Sequence, residues 1–504
     1  MREAGVLMPI TSLPSPYGVG TMGAAARSFI DFLKASGVSV WQMLPIGPTS
    51  YGDSPYQSFS AYAGNPYLID FDDLAAESLL DPAEYEGMFW GDDPERVDYG
   101  ALYAIRYTVL ARAVERLCAE RGEAFAHFCD TEAPWLDDYA LFMTIKDLEG
   151  GHAFQEWPDE LRLRRADALD AVRATAGDTI RFWKGVQCLF SMQWERLHTY
   201  AREAGVKIMG DLPIYVAEDS ADAWSRPEQF QLDENLRPTE VAGCPPDGFS
   251  ATGQLWGNPL FRWDYMASDG YSWWFGRIAY QLRLFDIIRI DHFRGFDSYY
   301  AIPAGAASAE GGRWREGPGI CFFELLRERL GSCDIVAEDL GFLTPSVHEM
   351  LAASGFPGMK VLQFAFDSRD GGDEAYLPYT YSRNSVAYVG THDNDTALGW
   401  LASAPAGDVA LAREYLHLDP AEGEGWGMMR AIWASASDLA VVQMQDLLGL
   451  GSEARMNTPS TLGGNWCWRA RAGFDSADLA QRLHRQLELY RRLPARGGSA
   501  KERD

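Results

Sequence analysis

The 504-residue chain has no apolar run approaching the eighteen residues from which a membrane-spanning helix is read. Its first apolar stretch, after Met1-Arg-Glu-Ala-Gly5, is only five residues long, too short for the apolar core of a signal peptide. A helical membrane span is excluded, and a cytoplasmic location is expected. Cysteine is scarce: seven residues (Cys118, Cys129, Cys188, Cys244, Cys321, Cys333, Cys467), an odd number with no C-x-x-C pair. That reads as reduced thiols, and it removes a disulfide framework or a zinc cluster. Positive charge is short as well, with Lys+Arg 44 against Asp+Glu 72 and a net charge of −28. Such a surface repels phosphate backbones and anionic lipid, so neither nucleic acid nor a membrane is an expected partner.

Chemical signatures are missing in the same way. His348-Glu349 is followed by Met-Leu-Ala, so the H-E-x-x-H zinc motif fails, and there is no Walker lysine, EF-hand loop or G-x-S-x-G. No metal and no cofactor is expected. Gly18-Val-Gly-Thr-Met-Gly23 does match G-x-G-x-x-G, but a proline-bearing stretch separates it from the preceding apolar run. The next run also lacks a terminal acid for a ribose, which argues against a dinucleotide.

What is present is a recurring unit: a short β-rich apolar run, a polar end, then a helical pattern. The runs are 6–10, 38–44, 206–209, 287–290, 335–337, 361–364, 386–389 and, less regularly, 439–444. Eight such runs predict an α/β fold, a (β/α)8 TIM barrel with helical and loop insertions, with a doubly wound open sheet as the alternative. The gap between the second and third runs is far longer than one crossover helix needs, and 102–121, 135–148 and 178–204 read as helices. The division expected is barrel over 1–72, a mainly helical insertion over 73–177, barrel again over 178–495, and a disordered tail at 496–504.

Four runs end in acids: Gly210-Asp211, Arg289-Ile-Asp291-His292, Ala337-Glu338-Asp339 and Thr391-His-Asp-Asn-Asp395. In a barrel the C-terminal strand ends share one face, so these acids converge there. Paired carboxylates perturb each other's pKa, and one acts as an acid while another stays ionised. The competing role for any one of them is to cap the next helix. Tyr51, Tyr56, Phe59, Trp256, Trp466 and Trp468 lie in Gly/Pro/Asn-rich segments, where stacking against the C–H face of a sugar competes with a core role.

The blocks Ser12-Leu-Pro-Ser-Pro-Tyr-Gly-Val-Gly20, Trp41-Gln-Met-Leu-Pro-Ile-Gly-Pro48, Tyr51-Gly-Asp-Ser-Pro-Tyr-Gln-Ser-Phe-Ser60, Gly210-Asp-Leu-Pro-Ile-Tyr215, Arg289-Ile-Asp-His-Phe-Arg-Gly295 and Ala337-Glu-Asp-Leu-Gly341 stand in this order along the chain. Together they closely resemble the amylomaltases, the 4-α-glucanotransferases also called disproportionating enzymes. The resemblance implies an α-amylase-like barrel without a C-terminal β-sandwich, working by retaining double displacement on α-1,4-glucans and glucose. It implies Asp291 as nucleophile, Glu338 as general acid/base and Asp393 as the acid holding the 2- and 3-hydroxyls. It further implies Tyr51, Ser54, Tyr56, Asp211, Gln254, Trp256, Arg289, His292, His392, Asn457 and Asn465 as substrate-binding residues. The resemblance also implies that Trp256 and Gln254 belong to a mobile loop, 247–258, over the acceptor side. A monomer or weak dimer is expected. Elementary physics agrees: Arg289 points to the same strand face as Asp291 and favours its anion, while Glu338, ending an apolar run, is suited to a raised pKa. A hydrolase or phosphorylase on the same barrel, or a non-catalytic glucan-binding barrel, remains the alternative.

Overall fold

The computed structural model describes residues 2–50, 52–246, 252–341, 343–370 and 373–494. Tyr51, the 247–251 part of the expected loop and the 496–504 tail lie outside the described residues. Eight parallel strands form one sheet: β1 Glu3–Leu7, β2 Val40–Gln42, β3 Lys207–Leu212, β4 Ile287–Ile290, β5 Ile335–Ala337, β6 Gly358–Val361, β7 Ser385–Tyr388 and β8 Leu439–Gln443. Their order is β6-β7-β8-β1-β2-β3-β4-β5, and their side chains are buried almost throughout. Burial on both faces is why these segments read as continuous apolar runs instead of alternating ones.

Two expected boundaries shift, for local reasons. The first run was placed at 6–10, but Pro9 has no N–H for a ladder, so β1 ends at Leu7 and Ile10–Ser12 turns as a 3-10 helix. The sixth was placed at 361–364, whereas β6 stops at Val361 and Leu362–Ala365 is another 3-10 turn.

Seven strand junctions carry backbone ladders. The eighth, β5 to β6, is closed differently. Ala337 N–H donates to Pro357 O at 2.9 Å, and Met359 N–H donates to the Asp339 carboxylate at 2.6 Å. Gly358 is required there, because a Cβ would lie 2.7 Å from both Asp339 oxygens. The sheet thus closes into a nearly complete barrel, not an open doubly wound sheet.

Between β2 and β3 run the long helices Tyr99–Glu120, Gly122–Leu148 and Gly177–Ala204. Asp98 caps the first by accepting from Ala101 N–H, and Gly205, at φ +80°, ends the third one residue before the chain re-enters the barrel. A second, antiparallel sheet of four strands was not expected: Gln254–Pro259, Glu240–Cys244, Ser298–Pro303 and Arg313–Glu316, in that order. Its strands come from the connections after β3 and β4, so it stands on the same face as the strand-end acids.

The G-x-G-x-x-G segment is packing. A Cβ at Gly20 would lie 1.9 Å from Ile10 O, and one at Gly23 2.1 Å from an Asp70 oxygen. The helix Ala24–Ser36 already has the Asp70 carboxylate at its N-terminus, so no room is left for a phosphate.

Candidate active site

Strand register assembles the charged centre. Asp211 on β3 pairs with Arg289 on β4, and Ile290 on β4 pairs with Ala337 on β5. Asp291 and Glu338, each one residue beyond that pair, therefore stand at the ends of neighbouring strands, whose backbones in a sheet run about 4.8 Å apart. Arg289 is buried and its Nη1 donates to both Asp211 oxygens at 2.7 Å, while Asp291 Oδ1 lies 3.1 Å away. Burial opposes the guanidinium charge, but the surrounding acids outweigh it and hold Arg289 firmly protonated.

The two carboxyls share a low-dielectric site. Burial pushes Asp291 well above the usual carboxylate range, with Arg289 pulling it back down and the neighbouring acids adding to the rise. Arg289, expected to keep Asp291 ionised, acts in that direction against the desolvation of the buried carboxyl. Burial raises Glu338 too, opposed by Arg289 and by two backbone donors, Leu340 N–H at 2.8 Å and His292 N–H at 2.6 Å. These donors fix the Glu338 side chain in place.

His292 sits at φ +53°, a conformation unfavourable for a residue with a Cβ. Its ring is held edge-on to Trp256, with centroids 4.9 Å apart, and its Nε2 is buried without a hydrogen-bond partner. Burial, with Arg294 nearby, pushes its pKa down to about 3, so the ring is neutral at ordinary pH. A buried, unpartnered ring nitrogen next to two carboxyls is a polar position that a ligand would satisfy.

On the far side, Tyr56 Oη donates to Asp211 at 2.8 Å and lies 2.9 Å from His392 Nε2. Burial lowers the His392 pKa, so the neutral ring with its proton on Nε2 fits this contact. His392 Nε2 also lies 3.4 Å from Asp393, whose other oxygen accepts from Asn457 Nδ2 at 2.6 Å. Arg455, which sequence reasoning missed, donates to the Asp393 and Asn457 carbonyls at 2.6 and 2.7 Å and so fixes the Asp393 backbone. Its only sequence signal is a position two residues before Asn457.

The structure brings Tyr56, Asp211, Arg289, Asp291, His292, Glu338, His392, Asp393 and Asn457 into one cluster. Trp256 and Gln254 join it from the antiparallel sheet. Trp256 is half-buried and its indole donates to Gln254 at 3.1 Å, while Gln57, also missed from sequence, donates to the Trp256 carbonyl at 3.4 Å. Ser54 supports the turn before Tyr56, accepting from Tyr56 N–H at 3.3 Å. Asn465 is not brought to the acids. Its side chain is bound to Thr458 and Thr461 within its own loop. Trp466 and Trp468 are buried in the core, Trp466 behind Tyr56 and His392, which decides their role in favour of packing. Among the described residues, no group of three or more His, Cys, Asp or Glu is arranged to hold a metal ion, and no helix is long and apolar enough to cross a membrane.

A (β/α)8 barrel with buried carboxyls, an arginine and neutral histidines on the C-terminal strand ends has the construction of a carbohydrate-active barrel enzyme. Comparison with known proteins narrows this. The family model described as 4-alpha-glucanotransferase matches residues 8–475, and the chain belongs to that family. The 4-alpha-glucanotransferase of Thermus thermophilus is 47% identical, with 98% of this chain and 99% of that protein covered. That of Clostridium butyricum is 45% identical over 96% of this chain and 100% of its own length. The amylomaltase of Streptococcus agalactiae, solved in complex with acarbose, superposes with a TM-score of 0.95 at 40% identity, covering 98% of this chain and 100% of that one.

Proposed function

We propose that the protein is a 4-α-glucanotransferase that moves segments of α-1,4-glucan between chains by retaining double displacement. The observation that carries this reading is the pair Asp291 and Glu338 on adjacent strand ends, with Arg289 against Asp291. Retaining enzymes need their two carboxyls about 5 Å apart, a separation that neighbouring strands supply.

In the first step an Asp291 oxygen attacks the anomeric carbon. The glycosidic C–O bond breaks, and Glu338 gives its proton to the departing 4-oxygen. In the second, Glu338 takes a proton from the 4-hydroxyl of the acceptor, that oxygen attacks the same carbon, and Asp291 leaves. The active state thus has one proton on the pair. The reaction requires the anion at Asp291, which the contact with Arg289 favours against the effect of burial, and the proton at Glu338. Asp393, braced by Asn457 and His392, serves the 2- and 3-hydroxyls of the reacting sugar. The neutral His292 and Trp256 serve the acceptor side, where loop cover withholds water from the glycosyl-enzyme. Residues 73–177 act as a helical layer outside this chemistry, and the work belongs to the cytoplasm.

Maltotriose is the direct test. Transfer yields a ladder of longer maltooligosaccharides with total reducing ends unchanged, whereas reducing ends that rise in step with substrate loss would assign a hydrolase.

A further inference from the structure

Away from the carboxyl cluster, a groove of about 460 Å³ opens between the inserted helix Gly122–Leu148 and the barrel helix Ser272–Leu284. That volume falls within the range of small-molecule sites. Three partly exposed rings line it. Tyr62 and Trp135 are nearly parallel, at 13° with centroids 6.2 Å apart, and Tyr280 stands edge-on to both at 5.2 and 5.8 Å. At that separation the parallel rings are offset, so neither covers the other's face.

The polar groups of the groove are set among these rings. Glu132, almost fully buried, accepts from Trp135 Nε1 at 2.7 Å and from Arg283 at 2.5 Å, so its charge is neutralised in place. Gln229 also lines the groove. It is only 5% exposed, and its Oε1 has no hydrogen-bond partner. A buried amide oxygen left open costs about 1–3 kcal/mol, and it marks a position where a donor is to be supplied.

Aromatic faces with hydrogen-bonding groups at their edges suit a polyhydroxylated ligand with apolar C–H faces. We propose that this groove is a second α-glucan-binding site, holding a distant part of a long donor or acceptor chain while another part occupies the carboxyl cluster. The identity of the ligand rests on the glucanotransferase reading, and the groove itself on the residues just described.

Two variants test it. Trp135→Ala removes a stacking face. Gly276→Gln places a side chain across the groove from an exposed helical position whose Cβ would meet only Tyr62 Oη, at 3.7 Å, so the fold is not strained. In both, KM for amylose should rise about five-fold with kcat unchanged, while kcat/KM for the short donor maltotriose stays within about two-fold. In an Asp291→Asn background, calorimetry with maltoheptaose should count two sites, and one after Gly276→Gln is added. An unchanged amylose KM in folded Gly276→Gln, a single site before that substitution, or parallel loss on maltotriose and amylose would each overturn the proposal. Failure of the wild-type protein to transfer from maltotriose would instead defeat the functional reading, leaving the calorimetric count to judge the groove.

Discussion

The active-site face is built by two sheets of opposite character. The barrel sheet is parallel, buried on both faces, and carries the charged groups: Asp211, Arg289, Asp291 and Glu338 are fixed by strand register, by the contacts of Arg289 with both aspartates and, for Glu338, by bonds from backbone. The antiparallel sheet is small and partly exposed, with a bulge between Val241 and Gly243, and it contributes Trp256 and Gln254 through side-chain contacts. The contrast teaches a division of labour. Groups that make and break bonds must be held to fractions of an ångström and sit on the rigid sheet. The groups proposed to admit and release a sugar sit on the smaller, partly exposed sheet.

The largest effect should come from the rigid sheet. Asp291→Asn and Glu338→Gln should each lower transfer roughly 10³-fold or more with the fold intact, since an amide neither attacks the anomeric carbon nor donates the proton. With a glucosyl fluoride donor, Glu338→Gln should still accumulate a covalent adduct. Intact mass and peptide mapping should locate it at Asp291, and an adduct elsewhere would break the assignment.

Arg289→Met should be the next largest, and should damage stability as well as rate. It leaves Asp211 and Asp291 buried without their cation, a loss of about 3–5 kcal/mol readable as a lowered urea midpoint. A variant of normal stability would show that the acids do not depend on this pairing.

On the antiparallel sheet the consequence should be one of partition. Trp256→Ala should lower transfer about ten-fold and raise the ratio of hydrolysis to transfer, with the melting temperature shifting by no more than about 2 °C. Equal loss of both activities with a fall in melting temperature would make Trp256 a structural anchor and erase the proposed division.

The smallest effect concerns the barrel frame. Asp446, just after β8, accepts from Ala397 N–H at 2.6 Å with one oxygen and has no partner for the other, and burial pushes its pKa up to about 7. A raised folded-state pKa means that the neutral form's contribution is complete below about pH 4 and is lost as pH rises through 7. Asp446→Asn should therefore gain on the wild type between pH 5 and pH 8, by about 2 °C in melting temperature. A pH-independent difference would show that this carboxyl does not titrate in the folded protein.

The same contrast explains what the sequence made legible. Eight doubly buried strands show as apolar runs whatever surrounds them, and acids at their ends are conspicuous because those runs hold no other charge than Lys207 and Arg289. The antiparallel strands gave no such pattern. Gln254–Pro259 contains Gly257, at φ +80°, and a proline, while Arg313–Glu316 is charged at three of its four positions. Their strand character comes from pairing with distant segments, not from local preference. Arg455 and Gln57 were missed for a related reason: each acts on a carbonyl of another segment, which no local spacing announces. Asn465, placed in the site by its motif, proved to be bound within its own loop.

The closure between β5 and β6 sets a rule for anyone who would redesign this protein. Seven junctions of the barrel carry backbone ladders, which accept many residue types, provided they fit. The eighth is written in two letters, a carboxylate at 339 and a bare backbone at 358. Libraries that vary residues around Glu338 to reach new donors should leave those two positions untouched, because a change at either unfastens the wall on which Glu338 is mounted.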